Sequence, residues 1–241
     1  MSWERMTAMG PAGENRWSRW QRLLVPSLFF AGVIYYEELF LKLFCFHAVT
    51  PVGALFTLLF TLPIAILLGL LCGGVAPRKG RGLLPAMTLL LSVWMGAQSI
   101  YYHLFKTFLT AFSLTKMGMV AGAFGDMAVG EILLNWFPIA MMAVPFGLAV
   151  VLRRRLIPEE GPMSRRMGAR WALLAAVVQL AAMGIVMCCG GGSMSLRFIY
   201  LQAAVPELEV QNFGMLTQNQ LELRRVLFGI TPEDRKSTRL N

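Results

Sequence analysis

Charge is scarce in this chain. Only 15% of its 241 residues are Asp, Glu, Lys or Arg, while 56% are hydrophobic. With a mean hydropathy of +0.59, that balance excludes an ordinary soluble domain of this size and points to the membrane. Acids are scarcer than bases, 13 against 22, for a formal net charge of +9. The basic excess does not indicate nucleic acid. It sits beside apolar runs, where Lys and Arg set orientation and meet anionic headgroups.

Metal-ligating and nucleophilic groups are also few. There are 2 histidines and 4 cysteines, and no cysteine has ligand spacing. Cys188 and Cys189 are adjacent, and neighbouring cysteines rarely bridge without strain. All four read as small apolar filler. His47 and His103 have no acid or cysteine partner at ligand spacing. No Ser-His-Asp set, phosphate loop or His-Glu-x-x-His motif occurs. The expectation is no metal site, no cofactor and no catalytic residue in this chain. A small-residue cleavage site is also missing after the first apolar run, so the amino-terminal segment is not a cleaved signal peptide.

What the sequence does have is long apolar runs: about Leu23–Phe46, Val52–Leu71, Leu83–Tyr102, Ile132–Leu152 and Trp171–Cys189. Each is near the roughly 20 residues that cross about 30 Å of hydrocarbon. Pro26, Pro63, Pro138 and Pro145 fall within them, where a kink is tolerable if neighbouring helices cover the freed carbonyls. The expected fold is all-α and polytopic: five transmembrane helices, an interfacial outer helix and a short extracellular exit helix. Residues 1–22 form a basic cytoplasmic lead-in, 23–189 the transmembrane domain and 190–233 an extracellular juxtamembrane linker. Residues 234–241, DRKSTRLN, resemble the in-frame translation of a sequencing adapter, so the natural protein is expected to continue past Glu233.

Basic residues fix the expected orientation. Those of the amino-terminal segment, Arg78-Lys79-Arg81, and Arg153–Arg155 with Arg165, Arg166 and Arg170 all fall on one side. That side should be cytoplasmic, with the carboxyl end outside. On the outer side, Leu104, Phe105, Phe108, Leu109 and Phe112 share one helical face, the pattern of a helix lying on the leaflet. Gly118–Glu131 comes next as a glycine-rich loop whose interior acid, Asp126, is either a polar site or a local turn cap.

Leu196–Ile230 leaves the last apolar run. Within it, Thr217-Gln218-Asn219-Gln220 has the form of a capping box that opens a helix. Leu223, Val226 and Leu227 then share a face as a docking surface, and Gly229 offers a stop. Inside the first run stand Glu37, Glu38 and Lys42. Ionisable groups in a span are functional candidates by default. The spacing of Glu38 and Lys42 also fits a snorkelling ion pair near the outer interface. With Asp126, these three are the candidate contacts for lipid or substrate. Gln98, Asn135 and Gln179 are expected to bond between helices.

Three stretches carry a resemblance: SIYYHLFKTFLT (Ser99–Thr110), AFGDM (Ala123–Met127) and NFGMLTQNQLELRRVLFG (Asn212–Gly229). They resemble the membrane half of bacterial lipoteichoic acid synthase-like proteins, phosphoglycerol transferases of the sulfatase/alkaline phosphatase superfamily. The resemblance covers most of residues 20–230. It implies a bacterial cell membrane location, a linker helix and, after it, an extracellular α/β catalytic domain. That domain would use a threonine nucleophile and a divalent metal, Mn or Mg, held by Glu, Asp and His. None of those positions lies in this chain, so residues 1–233 alone should be inactive. Their partners would be membrane lipids and the chain's own catalytic domain, with oligomeric state undetermined. The competing reading is a stand-alone small transporter or membrane assembly scaffold. Transporters usually carry internal repeats, and no convincing repeat is visible here.

Overall fold

A computed structural model describes residues 14–110, 127, 129–157, 164–190, 192, 195–203 and 205–228. The described residues contain helices and no strand. Five helices are long and apolar enough to cross a membrane: α1 (Glu14–Phe46), α2 (Pro51–Gly74), α3 (Pro77–Phe105), α4 (Trp136–Leu156) and α5 (Arg165–Cys188). A single turn, α6 (Leu196–Phe198), runs into a π-helical turn, Ile199–Ala203. Two short helices, α7 (Pro206–Phe213) and α8 (Met215–Leu227), complete the described chain. The all-α expectation therefore holds, and the exit segment carries two helices where the sequence suggested one.

Successive long helices alternate in direction. One end of the bundle, the turn end, holds the Phe46–Pro51 turn. The other, the arginine end, holds the Val75–Pro77 turn and Arg153–Arg155. Helices α1 and α2 form the centre. Helix α5 packs on α2, while α4 packs on α3 and α1.

The α1–α2 contact is close because α2 carries glycines one turn apart. A Cβ on Gly69 would lie 2.0 Å from Ser27 Oγ and 2.6 Å from its backbone nitrogen, and one on Gly73 would lie 2.6 Å from the Arg22 carbonyl oxygen. Small residues at this spacing let two backbones approach where lipid supplies no hydrophobic drive. Gly69→Ala should therefore cost about 1–3 kcal/mol, the range for overpacking a filled interface. A fall in melting temperature of the detergent-solubilised protein reads it, and an unchanged midpoint would refute the contact.

Charged side chains close helix ends at the arginine end. Arg22 Nη2 donates to the Val75 carbonyl, 2.8 Å away, just past the end of α2. Arg81 Nε donates to the Ile157 carbonyl at 3.0 Å, beyond α4. Each cation meets carbonyls that a helix terminus leaves without partners. Trp171 joins this layer, donating to Ser27 Oγ at 3.3 Å and meeting Trp20 edge-on at 5.6 Å.

Three boundaries depart from the sequence reading. Helix α1 is already formed at Glu14, inside the segment read as a lead-in, and Arg22 is buried. The fourth apolar run is helical at Ile132–Leu134 as expected, but Asn135 interrupts it with a turn and α4 itself starts at Trp136. Pro138 explains the shift: its ring crowds the Leu134 carbonyl and it has no N–H to give, so it suits the first turn of a new helix. The interfacial helix does not form over its described part. Helix α3 ends at Phe105, and Lys106 caps it in the left-handed region at φ 55°. Phe108 and Leu109 then fold inward and are buried. Gln98 explains this turn-in: its side-chain oxygen accepts from Leu109 N–H at 2.9 Å and its amide donates to the Leu109 carbonyl at 3.1 Å. Phe112 lies outside the described residues.

Candidate functional site

The polar stretch of α1 is buried in the bundle. Glu37, Glu38 and Lys42 are 0%, 2% and 1% exposed. Ions in such a place are tolerated only where specific partners compensate their lost hydration. Each of the three finds a different neighbour. Glu37 Oε1 accepts from Ser92 Oγ of α3 at 2.6 Å. Lys42 Nζ donates to the Gly53 carbonyl at 3.2 Å and to Thr57 Oγ1, both on α2. Thr57 in turn donates to the Gly53 carbonyl at 2.7 Å.

Glu38 reaches across 177 positions of sequence. Its Oε2 accepts from Met215 N–H at 2.6 Å and its Oε1 accepts from Leu216 N–H at 2.9 Å. These are the first two amides of α8, which have no partner inside the helix. The residue at the capping position is Gly214, with no side chain to offer. A carboxylate from α1 does that work, at the end of the helix that favours negative charge.

Gly214 makes the arrangement possible. Its φ of 94° and ψ of 164° lie in a region open essentially only to glycine. A Cβ there would also lie 2.8 Å from Glu38 Oε2. On one side of it, Phe213 wedges between Phe56, Phe60 and Tyr200, with ring centroids 5.4–6.0 Å apart. On the other, Met215 is buried with Leu41, Met95 and Met142. Helices α7 and α8 therefore form a hairpin whose tip is inserted among the long helices. Gly53 admits it, since a Cβ there would meet the Gln211 carbonyl at 2.4 Å.

A second tie closes the hairpin's mouth. Arg225 of α8 holds the carboxylate of Glu209 on α7 with both Nη atoms, Nη1 to Oε2 at 3.2 Å and Nη2 to Oε1. Glu209 is fully buried while Arg225 is partly exposed. Burial pushes the Glu209 carboxyl above the ordinary glutamate range, and the hydrogen bonds and charge of Arg225 draw it back. Removing one partner of such a pair costs more than an exposed bridge and less than a wholly buried one. Arg225→Ala should lower stability by about 1–2 kcal/mol, an interval set between those two limits. A double-mutant cycle with Glu209→Gln reads it, and additive effects would exclude the coupling.

Against the sequence reading, the intramembrane acids stay together but their partners change. Glu38 and Lys42 do not snorkel as a mutual pair; both are buried, and their hydrogen bonds go to α8 and α2. The capping box is not used. Helix α8 begins at Met215, so Thr217 lies within its first turn, and Thr217 and Gln218 are buried. The physical reason is that Glu38 supplies the cap at Gly214, three residues earlier. Leu223, Val226 and Leu227 do share a surface of α8, and it is exposed: 58%, 61% and 70%. Asp126 and Gly229 lie outside the described residues. Asn135 bonds to Glu131 in its own turn rather than across helices. His103 contacts the Ser99 carbonyl at 2.9 Å and lies over Phe44.

Sequence reasoning missed Glu209, Phe213, Gly214 and Arg225. One signal was present: a glycine between two short amphipathic runs marks a turn. The pairing of Glu38 with residues near 215 left no local trace.

Fold and site together define an all-α membrane protein whose exit segment is folded back into its own helical bundle. No family model matches the chain, and no curated protein or solved structure is detectably similar to it.

Proposed function

We propose that this chain is the membrane-anchoring part of a lipoteichoic acid synthase-like phosphoglycerol transferase. In this reading the α7–α8 hairpin is the rigid joint that sets the position of a catalytic domain attached beyond α8. The observation that carries the proposal is the Glu38 carboxylate on the first two amides of α8. The stretch with the most specific resemblance contains Phe213, Met215 and Leu216, the residues the bundle holds. A joint fixed to α1 holds the attached domain at one height and angle over the leaflet, as an enzyme acting on a lipid-borne group requires. The chain would lie in a bacterial cell membrane, its arginine end cytoplasmic and its turn end outside.

The divalent metal implied by the resemblance finds no ligand set among the described residues, where no three His, Cys, Asp or Glu side chains gather suitably. The chemistry belongs to the attached domain, and residues 1–233 position it. Long-read sequencing of the source DNA across the Glu233 codon tests this. A continuing frame with a threonine nucleophile and metal-ligand carboxylates and histidines supports the reading. A stop codon within a few residues overturns it.

A further inference from the structure

The carboxyl-terminal end of α8 bears four large apolar side chains that the described residues leave mostly uncovered: Leu223, Val226, Leu227 and Phe228, 58–73% exposed. The opposite face is already committed, with Met215, Thr217, Gln218 and Leu221 buried in the bundle. The helix cannot turn the patch inward, because Arg225 is tied to Glu209.

The height of this patch is set by its contacts. Glu209 adjoins Val210, which is buried in one cluster with Cys45 and Phe108. Cys45 belongs to the last turn of α1. The Glu209–Arg225 tie thus holds the end of α8 near the level at which α1 leaves the apolar layer. Aromatic and apolar groups favour this interfacial layer, and cations there meet phosphates. Arg224, exposed beside the patch, supplies such a cation.

We propose that the end of α8 is a lipid-contact surface: Leu223, Val226, Leu227 and Phe228 enter the acyl boundary of the leaflet at the turn end, and Arg224 meets headgroup phosphate. The partner is bilayer phospholipid, not a second protein. This rests on the five helices crossing a bilayer and is independent of any transferase activity. It gives the hairpin two fixed points, the Glu38 clamp inside the bundle and the leaflet outside.

The test is nitroxide accessibility in phospholipid vesicles containing anionic lipid. Single labels go on cysteines at L223C, V226C and L227C in the full chain, with Cys188 and Cys189 changed to serine. References are Lys79→Cys, exposed in the first turn of α3, and Leu180→Cys, exposed midway along α5. The expected ratio of oxygen to water-soluble nickel accessibility at the three sites is at least about threefold that at position 79, and below that at position 180. Ratios equal to position 79 place the patch in water and overturn the proposal. Exclusion of both reagents means that protein covers the patch, and that also overturns it. All labelled positions are surface side chains, and a monodisperse elution profile confirms folding before labelling.

Discussion

Glu38→Ala will free the α7–α8 hairpin from the bundle while the five long helices stay assembled. The carboxylate receives two backbone N–H bonds, at 2.6 and 2.9 Å. Hydrogen bonds to a charged group contribute about 1.5–3 kcal/mol each, so their joint loss amounts to about 3–6 kcal/mol. At 1.4 kcal/mol per tenfold, hydrogen exchange of the Met215 and Leu216 amides should quicken by about 100- to 10,000-fold. The amides of α1 and α2 serve as the internal reference. Glu38→Gln keeps one good acceptor oxygen and should fall between the two. Unchanged exchange at Met215 in the alanine variant would show that the clamp does not hold the hairpin.

Gly214→Ala should unseat the same hairpin from the other side. Backbone strain in this region costs about 1–3 kcal/mol for any residue with a Cβ. The methyl group would also sit 2.8–3.0 Å from the Glu38 carboxylate, pushing it off the amides it caps. Crowding of that kind costs a further 1–3 kcal/mol or so. The total, about 2–6 kcal/mol, matches the Glu38→Ala loss, and the two substitutions should not be additive because both act on one contact. A thermal-stability cycle of the single and double variants reads this. Additive losses would separate the glycine from the clamp.

These expectations make the hairpin, and not the five spans, the place where a single change alters what the molecule presents. Substitutions at the exposed side chains of α4 and α5, such as Val151 or Leu180, break no hydrogen bond. Substitutions at Glu38, Gly53 or Gly214 disturb backbone that lies deep among the long helices.

Much of this protein was legible in order. Apolar runs near the length of a bilayer crossing gave the five helices, because a backbone in hydrocarbon must satisfy its own hydrogen bonds and a helix does so locally. Their ends shifted where side chains intervened: Pro138 restarted α4, and Gln98 drew Leu109 back over α3. Candidate residues were found by their cost. Glu37, Glu38 and Lys42 stood out because charge within an apolar run requires compensation. The nature of that compensation was misjudged, since spacing along one helix suggests a partner on the same helix.

The sequence by itself determined the class of fold, the number of long helices and the identity of the buried ions, since each comes from composition and local periodicity. Only the tertiary structure decided that Glu38 serves α8, that Gly214 leaves room for its carboxylate, and that Leu223, Val226 and Leu227 remain exposed. Those facts depend on groups 16 to 178 positions apart meeting in space. Helix period and hydrophobic pattern carry no term for such a meeting; packing of the whole bundle supplies it.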